Sequence, residues 1–322
     1  MERRRRYHRR MPGPSIVSVA RIWARAPHSA FTDLARFRGS WYCAFREARA
    51  HAGTPGRIRI IVSRDGTRWQ EAALLSQRGV DLRDPKLCVA PGSRLMLLMG
   101  GTATGSAAAG RGSRQPRVSF SSNGRSWTEP RPVLSDGEWL WRITWHRSHA
   151  WGISYRMESR RRWTVSLHES ADGLAFRRVC MLEVPGLPNE ATVRLLPGGR
   201  MAALVRREGG DRSAWIGTSR PPYERWGWRA AGSRIGGPNF LVLPDGTMWG
   251  AGRLYGADGY RTVIARMSLT TWRPVLALPS GGDCSYPGLV WYHGILWVSY
   301  YSSHEGRTGI YLAKVRLERR GR

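Results

Sequence analysis

Arginine forks, carboxylates, tyrosines and a few histidines carry the chemistry available to this sequence. The candidates are Glu190, Asp84, Tyr286 and His51, with Arg46, Arg83, Arg142, Arg206, Arg253, Asp283, Tyr300 and His304. Guanidinium forks match carboxylates and phosphates, and acids interleaved with phenols suit hydroxyls, so the set fits an anionic or polyhydroxylated ligand. None of these residues sits in a compact local motif. There is no CxxC pair, no Gly-rich phosphate loop, no GxSxG and no Ser-His-Asp arrangement, and no cluster has metal-ligand spacing, so neither a metal nor a cofactor is expected. Chemistry therefore depends on a fold that gathers distant side chains.

The repeat pattern supplies that fold. Short apolar runs alternate with Gly/Pro/Asn/Asp turns and amphipathic helical periodicity is missing, which reads as all-β. A strand–turn–strand unit recurs six times: residues 31–47, 84–100, 141–156, 189–206, 237–253 and 285–301. After each of the first three units comes a second strand pair. It contains the turn Ser-x-Asp/Asn-Gly-x-x-aromatic, at Ser63–Trp69, Ser121–Trp127 and Ser170–Phe176. The Asp or Asn bonds the turn backbone and the Gly takes positive φ, so the motif is a turn staple. Units four and five have degenerate versions ending in Trp228 and Trp272. Six repeats of four antiparallel strands predict a six-bladed β-propeller. The sixth repeat has only three strands, and the unused run Ile16–Trp23 is expected to complete it and close the ring. The predicted domain spans 15–318, between basic tails at 1–14 and 319–322.

This topology sorts residues by face. With the first strand of each blade innermost and the second antiparallel beside it, first-strand starts and second-strand ends share one end of the propeller. The starts contribute Asp33, Arg83, Asp84, Arg142, Glu190, Asn239, Asp283 and Tyr286. The ends contribute Arg46, Glu47, Tyr155, Arg156, Arg206, Arg253, Tyr300 and Tyr301. His51 lies in the adjoining loop Ala48–Arg57, and His304 with Glu305 extends onto the same face, as an acid–base pair or an ordinary loop. Charges this close to an axis need partners, so the arginines and acids either hold a ligand or pair with each other.

Bulk charge is a weaker guide. The formal charge is +29, which suggests phosphate binding. Only two of the 52 basic residues are lysines, Lys86 and Lys314, so a coding bias toward arginine explains the count, and no specific nucleic acid is expected. No stretch is long and apolar enough for a membrane helix. Residues 15–31 are too interrupted by Arg for a signal-peptide core, so a cytoplasmic chain is the default. The four cysteines, Cys43, Cys88, Cys180 and Cys284, are far apart; the first three lie in apolar runs and read as small buried hydrophobes.

The turns S-R-D-G-T-R-W, S-S-N-G-R-S-W and S-A-D-G-L-A-F are similar to Asp boxes, and over residues 15–318 the chain resembles the sialidase superfamily, the six-bladed propeller glycosidases with Asp-box (BNR) repeats. The resemblance implies three arginines on a substrate carboxylate, a Tyr nucleophile with a Glu base, and an Asp acid/base. Onto that pattern fall Glu190, then Arg206 at the end of the same hairpin, Arg253 in blade five, and Tyr286 in C-S-Y-P-G-L. A neutral phenol activated by Glu avoids charge repulsion at an anionic anomeric centre. Two positions depart. Phe31-Thr32-Asp33-Leu34 stands where the family has Arg-Ile-Pro, leaving Arg46, Arg83 or Arg142 to reach that volume. The loop that should hold the acid Asp holds His51, so His51 or Asp84 would protonate the leaving group. The lead expectation is a monomeric sialidase-like hydrolase taking a terminal acidic sugar from a glycan. The competing expectations are a non-catalytic propeller that binds glycans or a protein, a lyase or glycosidase on uronic-acid sugars, and a polyanion binder.

Overall fold

A computed structural model describes residues 13–104 and 114–317. Within it the chain forms six sheets of four antiparallel strands. The innermost strands are His28–Phe37, Val80–Ala90, Glu138–His146, Pro188–Leu195, Ile235–Val242 and Cys284–Tyr292. This is the six-bladed propeller expected from the repeats. Ser15–Trp23 pairs with Gly309–Arg316 as the outermost strand of blade six, so the two ends of the described chain close the ring in one sheet. The predicted tails at 1–14 and 319–322 lie almost wholly outside the described residues. Among those residues no helix is long and apolar enough to cross a membrane.

Burial falls from axis to rim. His28–Phe37 is buried at nearly every position, whereas the outer strand of the same blade, Gln70–Leu75, is mostly exposed or half-buried. Apolar side chains fill the space between neighbouring blades. Phe37, Tyr42, Ile58 and Ile60 of blade one, for example, pack with Leu82, Leu87, Leu97 and Met99 of blade two. Where blade six meets blade one, Trp41 stacks on Trp297 at 4.1 Å between ring centroids.

The Ser-x-Asp/Asn-Gly turns sit at these seams. In the first, Gly66 N–H donates to Ser63 Oγ (2.8 Å), while the N–H groups of Thr67 and Arg68 donate to Asp65 Oδ1 (2.7 and 3.0 Å). The turns at Ser121 and Ser170 repeat the pattern. Gly66 has φ +74°, and a Cβ there would lie 2.4 Å from the Trp297 ring of the preceding blade. The motif thus satisfies its own backbone and also lets one blade approach the next.

Candidate active site

Every inner strand carries a β-bulge at the same height, where two residues face one on the second strand. The register slips between Ala30 and Asp33, Arg83 and Lys86, Leu140 and Ile143, Pro188 and Ala191, Gly236 and Asn239, and Ser285 and Gly288. Bulges re-aim side chains, and these present Phe31, Asp84, Trp141, Glu190, Gly237 and Tyr286 around one mouth. Phe31, Asp84 and Tyr286 do so with φ of 60°, 47° and 52°, a conformation costing roughly 1–3 kcal/mol for a non-glycine residue. The sequence pattern put these residues at strand starts. The strands begin upstream, and the bulge turns the side chains inward.

The centre of the mouth is a triangle of Tyr286, Glu190 and Arg206. Tyr286 Oη donates to Glu190 Oε1 at 2.7 Å. Arg206 Nη1 donates to Glu190 Oε2 at 2.8 Å and to Tyr286 Oη at 3.0 Å. Arg206 sits opposite the Asn189–Glu190 bulge, which is why one hairpin holds both. Gly237 N–H also donates to Glu190 Oε2 (2.8 Å). A Cβ at Gly237 would come within 2.9 Å of the Tyr286 ring, so only glycine allows this approach. Edge contacts from Phe31 and Trp141 fix the ring, at 5.2 and 5.6 Å between centroids.

The charges in this triangle are well defined. Burial alone would raise the Glu190 carboxyl, but the Arg206 cation and the donors from Tyr286 and Gly237 hold it below its ordinary range. Burial, then the Glu190 charge, pushes the Tyr286 phenol well above its usual value. At neutral pH the pair is a phenol beside a carboxylate. Arg206 also contacts Glu208. Burial would lower it, yet its acidic neighbours hold it firmly protonated.

Around the triangle is a cavity of about 290 Å³ lined by Phe31, His51, Arg83, Asp84, Thr102, Arg114, Trp139, Tyr155, Glu190 and Tyr286. Asp84 is raised from the ordinary carboxylate value, chiefly by burial. The Arg83 guanidinium lies 5.1 Å from the Phe31 ring centroid and makes a long contact to Asp81, 3.4 Å. Arg114 lies over Trp139 (4.5 Å) and bonds the Tyr155 hydroxyl (2.8 Å). Arg253 crosses the back of the Tyr286 ring at 5.3 Å. It donates to Cys284 O (2.9 and 2.6 Å), Tyr301 Oη (2.9 Å) and Asp283 Oδ1 (3.3 Å).

Asp283 gathers a second cluster at the rim. Its Oδ2 faces His51 Nδ1 at 2.7 Å and His28 Nε2 at 3.1 Å, and its Oδ1 accepts from Tyr301 Oη at 2.7 Å. Burial would raise Asp283, but the bonds from His28, His51 and Tyr301 hold it well below the ordinary range. His28, His51 and Asp283 lie close enough together to contact one ion. Two observations argue against a cation there. Arg253 already shares the carboxylate, and the buried His28 Nδ1 has no partner of the kind that fixes a ligating imidazole.

Seven residues from the sequence-based set do not line the cavity: Arg206, Arg253 and Asp283 back its wall through Glu190, Tyr286 and His51, and four others are engaged elsewhere. Arg46 is fully buried, paired with Asp81 (2.9 Å) and donating to the carbonyls of Ala50, His51 and Thr54 (2.9, 3.4 and 2.8 Å). It anchors the loop that carries His51. Arg142 is buried on Asp33 (2.8 Å), which also accepts from Leu87 N–H, so this pair ties blades together along the axis. Tyr300 bonds Pro279 O (2.9 Å) and stacks on Tyr311. His304 bonds Ser302 Oγ (2.8 Å) and tilts against Tyr311.

Other mouth residues escaped the sequence reading. Arg114 opens a third strand, which runs parallel to the first and so starts at the same end; sorting only two strands per blade misses it. His28 and Trp139 lie just upstream of the assumed strand starts. Phe31 was noted only as the replacement for an arginine, yet it touches Tyr286, Tyr301 and His51.

No protein-family model matches the sequence, and no curated protein matches it. Among solved structures, the chain is similar to a protein of unknown function from Dyadobacter fermentans (20% identity, TM-score 0.82, covering 96% of this chain and 100% of that one). It is also similar to the Trypanosoma rangeli sialidase in complex with the inhibitor DANA (13%, TM-score 0.70, 94% of this chain). The chain spans 60% of that sialidase's length. A third likeness is to an α-L-arabinofuranosidase from Fusarium graminearum in complex with an iminosugar inhibitor (14%, TM-score 0.71, 94% of this chain and 98% of that one). At these identities the likeness is one of fold: the six-bladed propeller on which both glycosidases are built.

Proposed function

We propose that this protein is a glycoside hydrolase of the sialidase type that removes a single terminal acidic sugar from a glycan. The observation that carries the reading is the Tyr286–Glu190–Arg206 triangle. Tyr286 Oη attacks the anomeric carbon as its proton passes to Glu190 Oε1, 2.7 Å away. Arg206, 3.0 Å from the same phenol oxygen, stabilises the charge that develops on it. A neutral nucleophile suits an anomeric centre that bears a carboxylate, where an anionic one would be repelled. Arg83, Arg114 and Arg253 supply positive charge for that carboxylate. A cavity of about 290 Å³, at the small end for ligand pockets, takes one sugar ring and favours exo-action. The T. rangeli sialidase supports the substrate class, and the arabinofuranosidase supports glycosidase chemistry on the same scaffold.

A second reading, a non-catalytic glycan-binding propeller, is favoured by Phe31 at the blade-one bulge and by the engagement of Arg206 and Arg253 with the protein's own acids. Aryl glycosides of sialic and uronic acids separate the two. The hydrolase reading expects aryl-alcohol release by the wild type and a loss of ~10³-fold or more in Tyr286→Phe. Binding of the free sugars without release, unchanged in that variant, sinks it in favour of the second.

A further inference from the structure

The hydrolase reading leaves the proton donor for the departing oxygen open, and the cluster around Asp283 bears on it. Ionised Asp283 is an acceptor only. Both imidazole nitrogens facing it, His51 Nδ1 and His28 Nε2, must therefore carry hydrogens. Tyr301 Oη and Arg253 complete the carboxylate's partners, so its orientation is fixed from four sides. The His28–His51 ring contact (5.5 Å, edge-on) and the Phe31–His51 contact (5.1 Å, edge-on) hold the second imidazole. Arg46 ties down its loop from below. Among the described residues His51 is left with one ring nitrogen, Nε2, uncommitted in a side chain that is half exposed yet lines the cavity with Tyr286, Glu190 and Asp84. This is a base oriented by a third group, the arrangement that serves proton transfer in acyl-transfer triads.

We infer that His51, positioned by Asp283, is the general acid/base of this site; the inference rests on the hydrolase reading. In the first half-reaction the Tyr286 Oη–anomeric carbon bond forms and its proton goes to Glu190. The bond to the leaving oxygen breaks, and that oxygen takes the proton from His51 Nε2. The ring, an imidazolium at the start, ends neutral, with its Nδ1–H still donating to Asp283. In the second half-reaction water attacks the anomeric carbon and gives its proton to His51 Nε2. Tyr286 Oη departs and recovers its proton from Glu190. Place separates His51 from Asp84, the other candidate. The aglycone of an exo-acting enzyme leaves outward, and His51 stands at the exposed rim. Asp84 is set in a strained bulge of the wall, and its carboxylate has no hydrogen-bond partner among the described residues to aim it. Asp84 then serves a substrate hydroxyl. Asp283 is a positioning residue rather than a ligand contact, and His28 is its second support.

Leaving-group dependence tests this. An acid catalyst matters in proportion to the basicity of the oxygen it protonates. His51→Ala is expected to lose about 10²–10⁴-fold in kcat/KM on a glycoside with an alkyl leaving group. On the dinitrophenyl glycoside of the same sugar it should lose less than tenfold, and added azide or formate should speed its turnover. In wild-type protein without substrate, nitrogen-15 NMR should show a hydrogen on His51 Nδ1 in both the neutral and the cationic ring, leaving Nε2 as the nitrogen that carries the transferable proton. Asp283→Asn should lose that signature and the selective loss should reappear, while Tm stays within a few degrees. Equal losses on the two substrates, or an Nε2–H tautomer in the wild type, overturn the assignment while leaving the Tyr286 reading intact. Absence of wild-type turnover on every glycoside sinks that reading, and the assignment with it.

Discussion

Positive backbone angles occur at both ends of the propeller, with different occupants. At the blade seams Gly66, Gly124 and Gly173 take φ of 74°, 73° and 77°. Glycine adopts these angles freely, and the flanking Ser and Asp or Asn side chains accept from three backbone N–H groups in each turn. At the mouth the positions with φ near 50–60° are Phe31, Asp84 and Tyr286, and their side chains form the cavity wall. Only Gly237 in that ring is a glycine, and it makes room for Tyr286. The seam turns are relaxed and self-satisfied. The mouth holds strain, buried charge and a carboxylate without a hydrogen-bond partner among the described residues, the pattern expected where function is placed at the expense of stability.

The buried arginine–acid pairs sharpen the contrast. Arg46–Asp81 and Arg142–Asp33 are buried pairs whose further hydrogen bonds run to loop carbonyls in the first and to a backbone N–H in the second. Arg206–Glu190 has a phenol hydroxyl within hydrogen-bond reach of both partners. Residue type and placement at a strand end do not distinguish these pairs, whereas the third group does.

Gly66→Ala at the seam and Asp84→Asn at the mouth should therefore change stability in opposite directions. The largest expected effect is at the seam. Gly66→Ala forces an unfavourable φ and drives a Cβ into Trp297, a loss of about 2–4 kcal/mol. Thermal denaturation should show a Tm lower by roughly 5–10 °C. A Tm unchanged within 1 °C would mean that the turn does not tie the blades together. The smaller effect is at the mouth and carries a pH signature. The Asp84 carboxyl is raised in the folded state, so its contribution is favourable below the ordinary carboxylate range and is lost as pH rises. Asp84→Asn removes that charge, and asparagine tolerates the positive φ. It should raise Tm by about 2–4 °C at pH 7, with the gain vanishing below about pH 4. Asp283 is shifted the other way. Its contribution is present above the ordinary range and lost on acidification, so Asp283→Asn should lower Tm slightly at pH 7 and leave it unchanged in acid. A gain from Asp283→Asn, or a loss from Asp84→Asn at pH 7, would reverse the charge assignment of the mouth.

Much of the fold was legible in the sequence because a propeller is a repeat. Six strand–turn–strand units and three Ser-x-Asp/Asn-Gly turns specify blades directly, and the missing strand of the last repeat pointed to Ser15–Trp23. The mouth was legible only to the nearest turn. Glu190, Arg206, Arg253 and Tyr286 were placed at one common end by strand direction alone, and the structure brings them to one mouth. Which of them meet depends on the bulges, whose one-residue slips leave no mark in hydrophobic alternation; Pro85, Pro238 and Pro287, each following a re-aimed residue, were the available sign. Arg46, Arg142, Tyr300 and His304 show the limit of sorting by strand end. Each has the correct residue type at the correct height, but its side chain is spent on the protein's own carbonyls, acids and hydroxyls.

The most direct test of the account is to trap the covalent intermediate. A fluorinated acidic sugar with a fluoride leaving group slows the second half-reaction, so a bound glycosyl group accumulates on the nucleophile. Incubated with the wild-type protein and read by peptide mass spectrometry, it should add one glycosyl mass to the peptide containing Tyr286, and none in Tyr286→Phe. No adduct in a wild type that hydrolyses the corresponding aryl glycoside, or an adduct on Glu190 or Asp84, would contradict the assignment of Tyr286 as nucleophile.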